Sequence, residues 1–143
     1  MKSVILSAIV SLVSSILQAQ PVTKCDTSNF LELSKKMGFL THQQIMNFLL
    51  TFDEECHKNV EYSEWSNELL FEMLDQQTEL TVKTIAHETK TMERMTVLKN
   101  LEDPVHDRFS IKLIITKVEK VKFNQNVKGD IISRLKIAES KIK

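Results

Sequence analysis

Cys25 and Cys56 are the only two cysteines in the chain, and they flank a turn signal almost symmetrically. The signal is Gly38-Phe39-Leu40-Thr41, with one cysteine about fifteen residues to each side of it. If the two flanking segments are antiparallel helices, both thiols arrive at the open end of one hairpin. That geometry predicts a Cys25–Cys56 disulfide, and with it an oxidising compartment. Closing such a loop stabilises a fold by about 3–4 kcal/mol in the chain-entropy model. That is a large share of the roughly 5–15 kcal/mol that holds a typical domain together.

The N-terminus agrees with export. Lys2 supplies a positive start, Val4 to Leu17 is apolar with interspersed serines and alanines, and Gln18-Ala19-Gln20-Pro21 ends the run. We expect a signal peptide over residues 1–20, cleaved after Ala19 or Gln20, followed by one domain over residues 21–143. The expected location is periplasmic or secreted. The apolar run is short for a membrane span, and no integral membrane segment is expected after cleavage.

Two glycines and two prolines in 143 residues leave too few turn formers for a β-sandwich or a nucleotide-binding α/β fold. The chain predicts an all-α fold of about six helices in three antiparallel hairpins, arranged as a compact bundle or a short stack. The first helix spans Thr27 to Met37, with Asp26, Thr27 or Ser28 as cap and Gly38 as a positive-φ residue after its end. The second opens on a Thr41-x-x-Gln44 capping box with a Leu40–Ile45 staple. It continues through Phe48, Leu49 and Phe52 to Cys56.

A third helix runs from Glu64 to Gln76 with Ser63 as cap and Trp65, Leu69, Leu70, Met73 and Leu74 on its buried stripe. A long, weakly packed fourth helix starts near Thr78 or Glu79, is frayed or broken near Glu88–Thr91, and resumes through Met92, Met95, Leu98 and Leu101. Asp103-Pro104 predicts the start of the fifth, which buries Ile111, Ile114, Ile115 and Val118, with Phe109 and Leu113 widening the stripe. The last covers Val127 to Ile142.

Leu101-Glu102-Asp103-Pro104, with Arg108 a turn later, resembles the opening of a HEAT-type helical repeat. The resemblance covers Leu101 to Lys141. It departs from the family at Asp107, where valine is preferred, and no second copy occurs in the chain. It implies a helix that begins at the Asp-Pro turn and carries Arg108.

No nucleophile elbow, phosphate loop, HExxH or CxxC motif is present. His42, His57, His87 and His106 are scattered over different elements, and a disulfide removes Cys25 and Cys56 as ligands. The expectation is therefore a non-enzymatic protein with no metal and no cofactor.

Charge is the sharper signal. Net charge is zero, yet Asp53 to Glu79 holds nine acidic residues against Lys58, and Lys112 to Lys143 holds nine basic residues against three acidic. Glu64, Glu68 and Glu72 recur every fourth residue and share one helical face. Glu61, Glu64, Glu68, Glu72 and Asp75 are the candidate protein-binding residues, facing a partner with a basic surface. The competing expectation is internal pairing of these carboxylates with the C-terminal lysines. No nucleic-acid role is expected, because the lysines lack interleaved aromatics. The role that fits is a periplasmic inhibitor, immunity-type or adaptor protein. The alternative is a carrier of a small apolar ligand, with Met73, Met92 and Met95 among the six methionines lining an adaptable cavity.

Overall fold

The computed structural model describes residues 25, 27–87, 91–123 and 125–142, without the side chains of Glu54, His57, Thr91, Met92 and Glu93. The expected signal peptide, residues 1–20, lies outside the described residues. Those residues form an all-α structure of seven helices: α1 (Phe30–Lys35), α2 (His42–Leu50), α3 (Val60–Gln76), α4 (Thr78–His87), α5 (Thr91–Asn100), α6 (Ile111–Lys120) and α7 (Gln125–Lys141). Two short 3-10 turns, Met37–Phe39 and Glu54–Lys58, flank α2. No described helix is long and apolar enough to cross a membrane.

Local chemistry starts most of these helices. The Thr41 hydroxyl accepts from the Gln44 N–H while the Gln44 side chain accepts from the Thr41 N–H, so the predicted capping box forms in full. Leu40 and Ile45, the expected staple, are both buried. Asn59, not Ser63, caps α3 by accepting from the Tyr62 N–H, so the helix begins at Val60 rather than Glu64. Ser110 caps α6 through the Leu113 N–H. Between α3 and α4 the backbone breaks at one residue, Gln77. Thr78 and Thr81 add side-chain bonds at the break, donating to Leu74 O at 2.7 Å and to Met73 O at 3.1 Å, which also accepts from the Gln77 N–H.

Three local expectations need correction. The first helix starts at Phe30, not Thr27, and ends at Lys35. Gly38 then lies inside the 3-10 turn, and no described glycine has positive φ, so it is not a left-handed cap. Phe39, next to it, is 91% exposed. The fourth helix, by contrast, divides at the stretch where a break is expected, into α4 and α5. Asp103-Pro104 does not open a helix: residues 101–110 are a loop, and Arg108 stands on it. The helix that the HEAT-type resemblance implies at that point is therefore not formed.

The helices pack out of sequence order. α1 lies on α3, α2 on α4 and α5, α4 on α6 and α7, while α6 and α7 form the closest pair. A solenoid contacts only successive repeats, so this is a bundle. One continuous apolar cluster runs through it, from Phe30 and Ile45 through Tyr62, Phe71 and Met73 to Ile114, Ile131 and Leu135.

The disulfide joins Cys25 to Cys56 and closes the end of the α1–α2 unit opposite the Gly38–Thr41 turn. At that end the Phe30 and Phe48 rings meet edge-on at 5.7 Å. Cys56 is not on the helix that carries Phe48, because α2 stops at Leu50. Thr51 ends it, its hydroxyl donating to Phe48 O at 2.6 Å. The chain turns through Phe52 and presents Cys56 from the following 3-10 segment, with both residues buried. Tyr62 fills the space between. Its phenol donates to Thr51 O at 2.7 Å, and its ring lies 5.5 Å from that of Phe30.

Gly38→Ala should raise stability by about 0.5 kcal/mol, because the unfolded chain loses freedom and the folded turn accepts a Cβ. The added methyl would meet only the Gln76 side-chain oxygen, at 3.7 Å. A left-handed cap would give the opposite sign, so the chemical-denaturation midpoint separates the two. Burial, more than its bond to Thr51 and with Asp53 adding to the shift, raises the Tyr62 phenol above its ordinary value. The folded chain then keeps this proton after the unfolded chain has lost its own. The stability linked to it is intact below about pH 10 and falls as pH climbs through the folded value. The denaturation midpoint should therefore drop more steeply above about pH 10 in the wild type than in Tyr62→Phe.

Candidate functional site

α3 carries all five candidate carboxylates, and the fold divides them. Glu68 and Glu72 receive Arg108 from the 101–110 loop, with its Nη2 2.7 Å from Glu68 Oε1 and 3.6 Å from Glu72 Oε2. His106 Nε2 is 3.9 Å from the other Glu68 oxygen. Gln76 donates to Glu72 at 3.2 Å. Asp75 pairs with Lys117 of α6 at 2.5 Å. Glu61 and Glu64 are exposed and have no hydrogen-bond or ion-pair partner among the described residues. The two expectations for this face, internal pairing and an open acidic surface, thus apply to different ends of one helix.

The loop that delivers Arg108 is built from one buried amide that the sequence reading missed. Asn67, on α3, donates from Nδ2 to Asn100 O at 2.9 Å and to Asp103 O at 3.2 Å. Its Oδ1 accepts from the Val105 N–H at 3.0 Å. One buried side chain thus bonds the last carbonyl of α5 and two main-chain groups of the loop that follows it. Phe109 then stacks on Phe71 at 5.7 Å between centroids, and the Arg108 guanidinium lies 4.7 Å over the Phe109 ring. Asn67 gave no signal in the sequence, because its partners are more than thirty positions away.

A groove of about 270 Å³ opens between α1, α3 and this loop. Phe30, Leu31 and Ser34 line it from α1; Trp65, Glu68, Leu69 and Glu72 from α3; Arg108 closes one side. Phe30 and Leu69 are buried and form the floor, whereas Leu31 is 59% and Trp65 41% exposed. Trp65 was expected on the buried stripe. It sits instead at the mouth, its ring 6.3 Å from Phe30, because α1 is six residues long and covers that part of α3 from one side. Tyr62, Ser66 and Asn67 occupy buried positions there.

The groove has no methionine in its lining. Met73 is fully buried in the core, Met95 is half-exposed on α5, and the Met92 side chain lies outside the described residues. The disulfide commits Cys25 and Cys56. Compared with known proteins, the chain matches no family model, no curated protein and no solved structure.

Asn67→Ala should destabilise the fold by roughly 2 kcal/mol, since it removes three part-buried hydrogen bonds at once and leaves a hole where the amide was buried. The same variant should speed hydrogen exchange at the Val105 amide far more than at amides in α7. Equal effects at both places would mean that Asn67 does not hold the loop.

Proposed function

We propose that this chain is an exported, non-enzymatic helical protein that binds another protein through the open face of α3. A periplasmic or secreted inhibitor, immunity-type or adaptor role fits this reading. Export is supported by the Cys25–Cys56 bridge and by the signal-like pattern of residues 1–20. The observation that carries the binding assignment is the asymmetry of the acidic face. Arg108 and Lys117 answer Glu68, Glu72 and Asp75, while Glu61 and Glu64 stand exposed beside the half-exposed Trp65. Unanswered charge next to an exposed aromatic is the anatomy of an interface rim around an anchor. A basic partner surface would meet complementary potential there, which speeds and orients encounter.

The assignment separates two double reversals. Glu61→Lys/Glu64→Lys should weaken binding at least tenfold to the partner recovered on the wild-type protein from the native cell envelope, with melting temperature unchanged. Glu68→Lys/Glu72→Lys should lower the melting temperature, because both new cations oppose Arg108. Calorimetric titration and thermal melting read the two effects. Full affinity in the first variant would remove Glu61 and Glu64 from the site.

A further inference from the structure

We infer that the groove between α1 and α3 receives one apolar side chain of the partner protein, flanked one helical turn away by a lysine or arginine that reaches Glu61 or Glu64. This rests on the protein-binding reading above and specifies what the partner must present. Four observations lead to it.

The first is size. Pockets that hold small molecules enclose about 300–1,000 Å³. At about 270 Å³, and open to solvent, this groove suits a single large side chain better than a whole ligand. The second is the lining. An apolar floor of Phe30 and Leu69 lies between two exposed apolar lips, Leu31 and Trp65. A half-exposed tryptophan against a partly open pocket is the type of residue that carries binding energy when a partner excludes water from it.

The third is charge. Glu61, Glu64, Glu68 and Glu72 stand on one face of α3, and Arg108 is the one cation in the lining. Its guanidinium is already shared between Glu68 and Glu72, so the mouth attracts cations and repels phosphate or anionic lipid. The fourth is register. Glu61 precedes Trp65 by four positions, and Glu64 precedes Glu68 by four, so each is one helical turn from the groove. A partner helix with an apolar residue four positions from a lysine or arginine would match that spacing. Arg108 blocks the opposite end to an incoming cation, so the basic residue must lie toward the α3 N-terminus.

Trp65 is the only tryptophan in the chain, which makes its fluorescence a direct report on the groove. A displayed random peptide library would be selected on the intact, oxidised protein, and the enriched peptides synthesised without tryptophan. The inference expects enrichment of an aliphatic or aromatic residue four positions from lysine or arginine. Titration of such a peptide should shift Trp65 emission to the blue and saturate. Replacing its apolar residue by alanine should abolish the shift. Leu31→Glu, a change at an exposed position, should weaken binding at least tenfold, as should Glu61→Lys/Glu64→Lys.

Enrichment of acidic or uncharged peptides, or of none, would overturn the inference. So would an emission shift that grows with protein concentration alone, which would assign the groove to a second copy of this chain. Basic peptides that bind, lose affinity in Glu61→Lys/Glu64→Lys, yet leave Trp65 emission and the Leu31→Glu affinity unchanged, would overturn the groove while the acidic-face reading stood. Basic peptides indifferent to the Glu61→Lys/Glu64→Lys change would overturn both.

Discussion

Burial of α3 on almost every side is the constraint from which the rest of the structure follows. α1, both 3-10 turns, α4 and α6 all pack on it, and Tyr62, Leu69, Leu70, Phe71, Met73 and Leu74 are buried along its length. Each large apolar side chain so buried contributes roughly 1.5–3 kcal/mol. Like charges four apart cost a helix only a few tenths of a kcal/mol per pair. Packing therefore outweighs the Glu64-Glu68-Glu72 repulsion by an order of magnitude, and the helix tolerates an acidic stripe on whatever strip is left uncovered. The stripe is a consequence of where the core is, and its pairing with Arg108 is a refinement worth about 0–1 kcal/mol at this exposure.

What could be read along the chain was chemistry that acts over one turn. The Thr41–Gln44 capping box, the boundary between α3 and α4, and the Ile111-Ile114-Ile115-Val118 stripe of α6 depend on neighbours three or four residues away and formed where the residues placed them, although Leu113, expected to widen that stripe, is half-exposed. The 101–110 loop shows the limit. Asp103-Pro104 is good local grammar for a helix start, but Asn67 offers that backbone two hydrogen bonds in a non-helical path and a third to the end of α5 before it. A long-range side chain outbid a local preference, and nothing within a turn of Asp103 announces it. Gly38 and Trp65 were misread for a related reason. A glycine after a helix suits a left-handed cap, and a tryptophan at apolar spacing suits a core, yet the short α1 leaves one in a 3-10 turn and the other at a rim. The Cys25–Cys56 pairing was legible although the helix assumed to carry Cys56 ends six residues earlier. The disulfide needed only the reversal of chain direction at Gly38–Thr41.

The polarised charge of the chain has the same explanation. Arg108 and Lys117 return to Glu68, Glu72 and Asp75 of α3, while Arg134 pairs with Glu102 and Lys141 with Asp103, so the basic C-terminal third answers one end of the acidic stretch. Lys128 is used differently, donating to Glu119 O and Val121 O at the end of α6, where exposed carbonyls favour a cation. The cations that reach α3 come from the 101–110 loop and α6, and they meet its middle and C-terminal end. Glu61 and Glu64 lie beyond their reach, at the end that faces α1 and the disulfide.

That end of the molecule ties the candidate groove to redox state. One wall of the groove is α1, and six residues are far too few to hold a helix by backbone hydrogen bonding alone. Beyond the packing of Phe30 and Leu33 on the core, α1 is tied at both of its ends. Gln77 donates to Met37 O at 2.6 Å just beyond its C-terminus, and Cys25 is bonded to Cys56 just before its N-terminus. The bridge closes a separation of 31 residues, for which chain entropy gives about 3–4 kcal/mol. Phe30, buried against Phe48 and Tyr62, lies beneath Trp65 with Leu69 as the rest of the floor. Reduction would therefore remove the covalent anchor before α1 and loosen the Leu31 lip, while leaving α3 buried by its other neighbours. The shape of the groove therefore depends in part on the Cys25–Cys56 bridge, because the bridge anchors the segment that leads into its α1 wall.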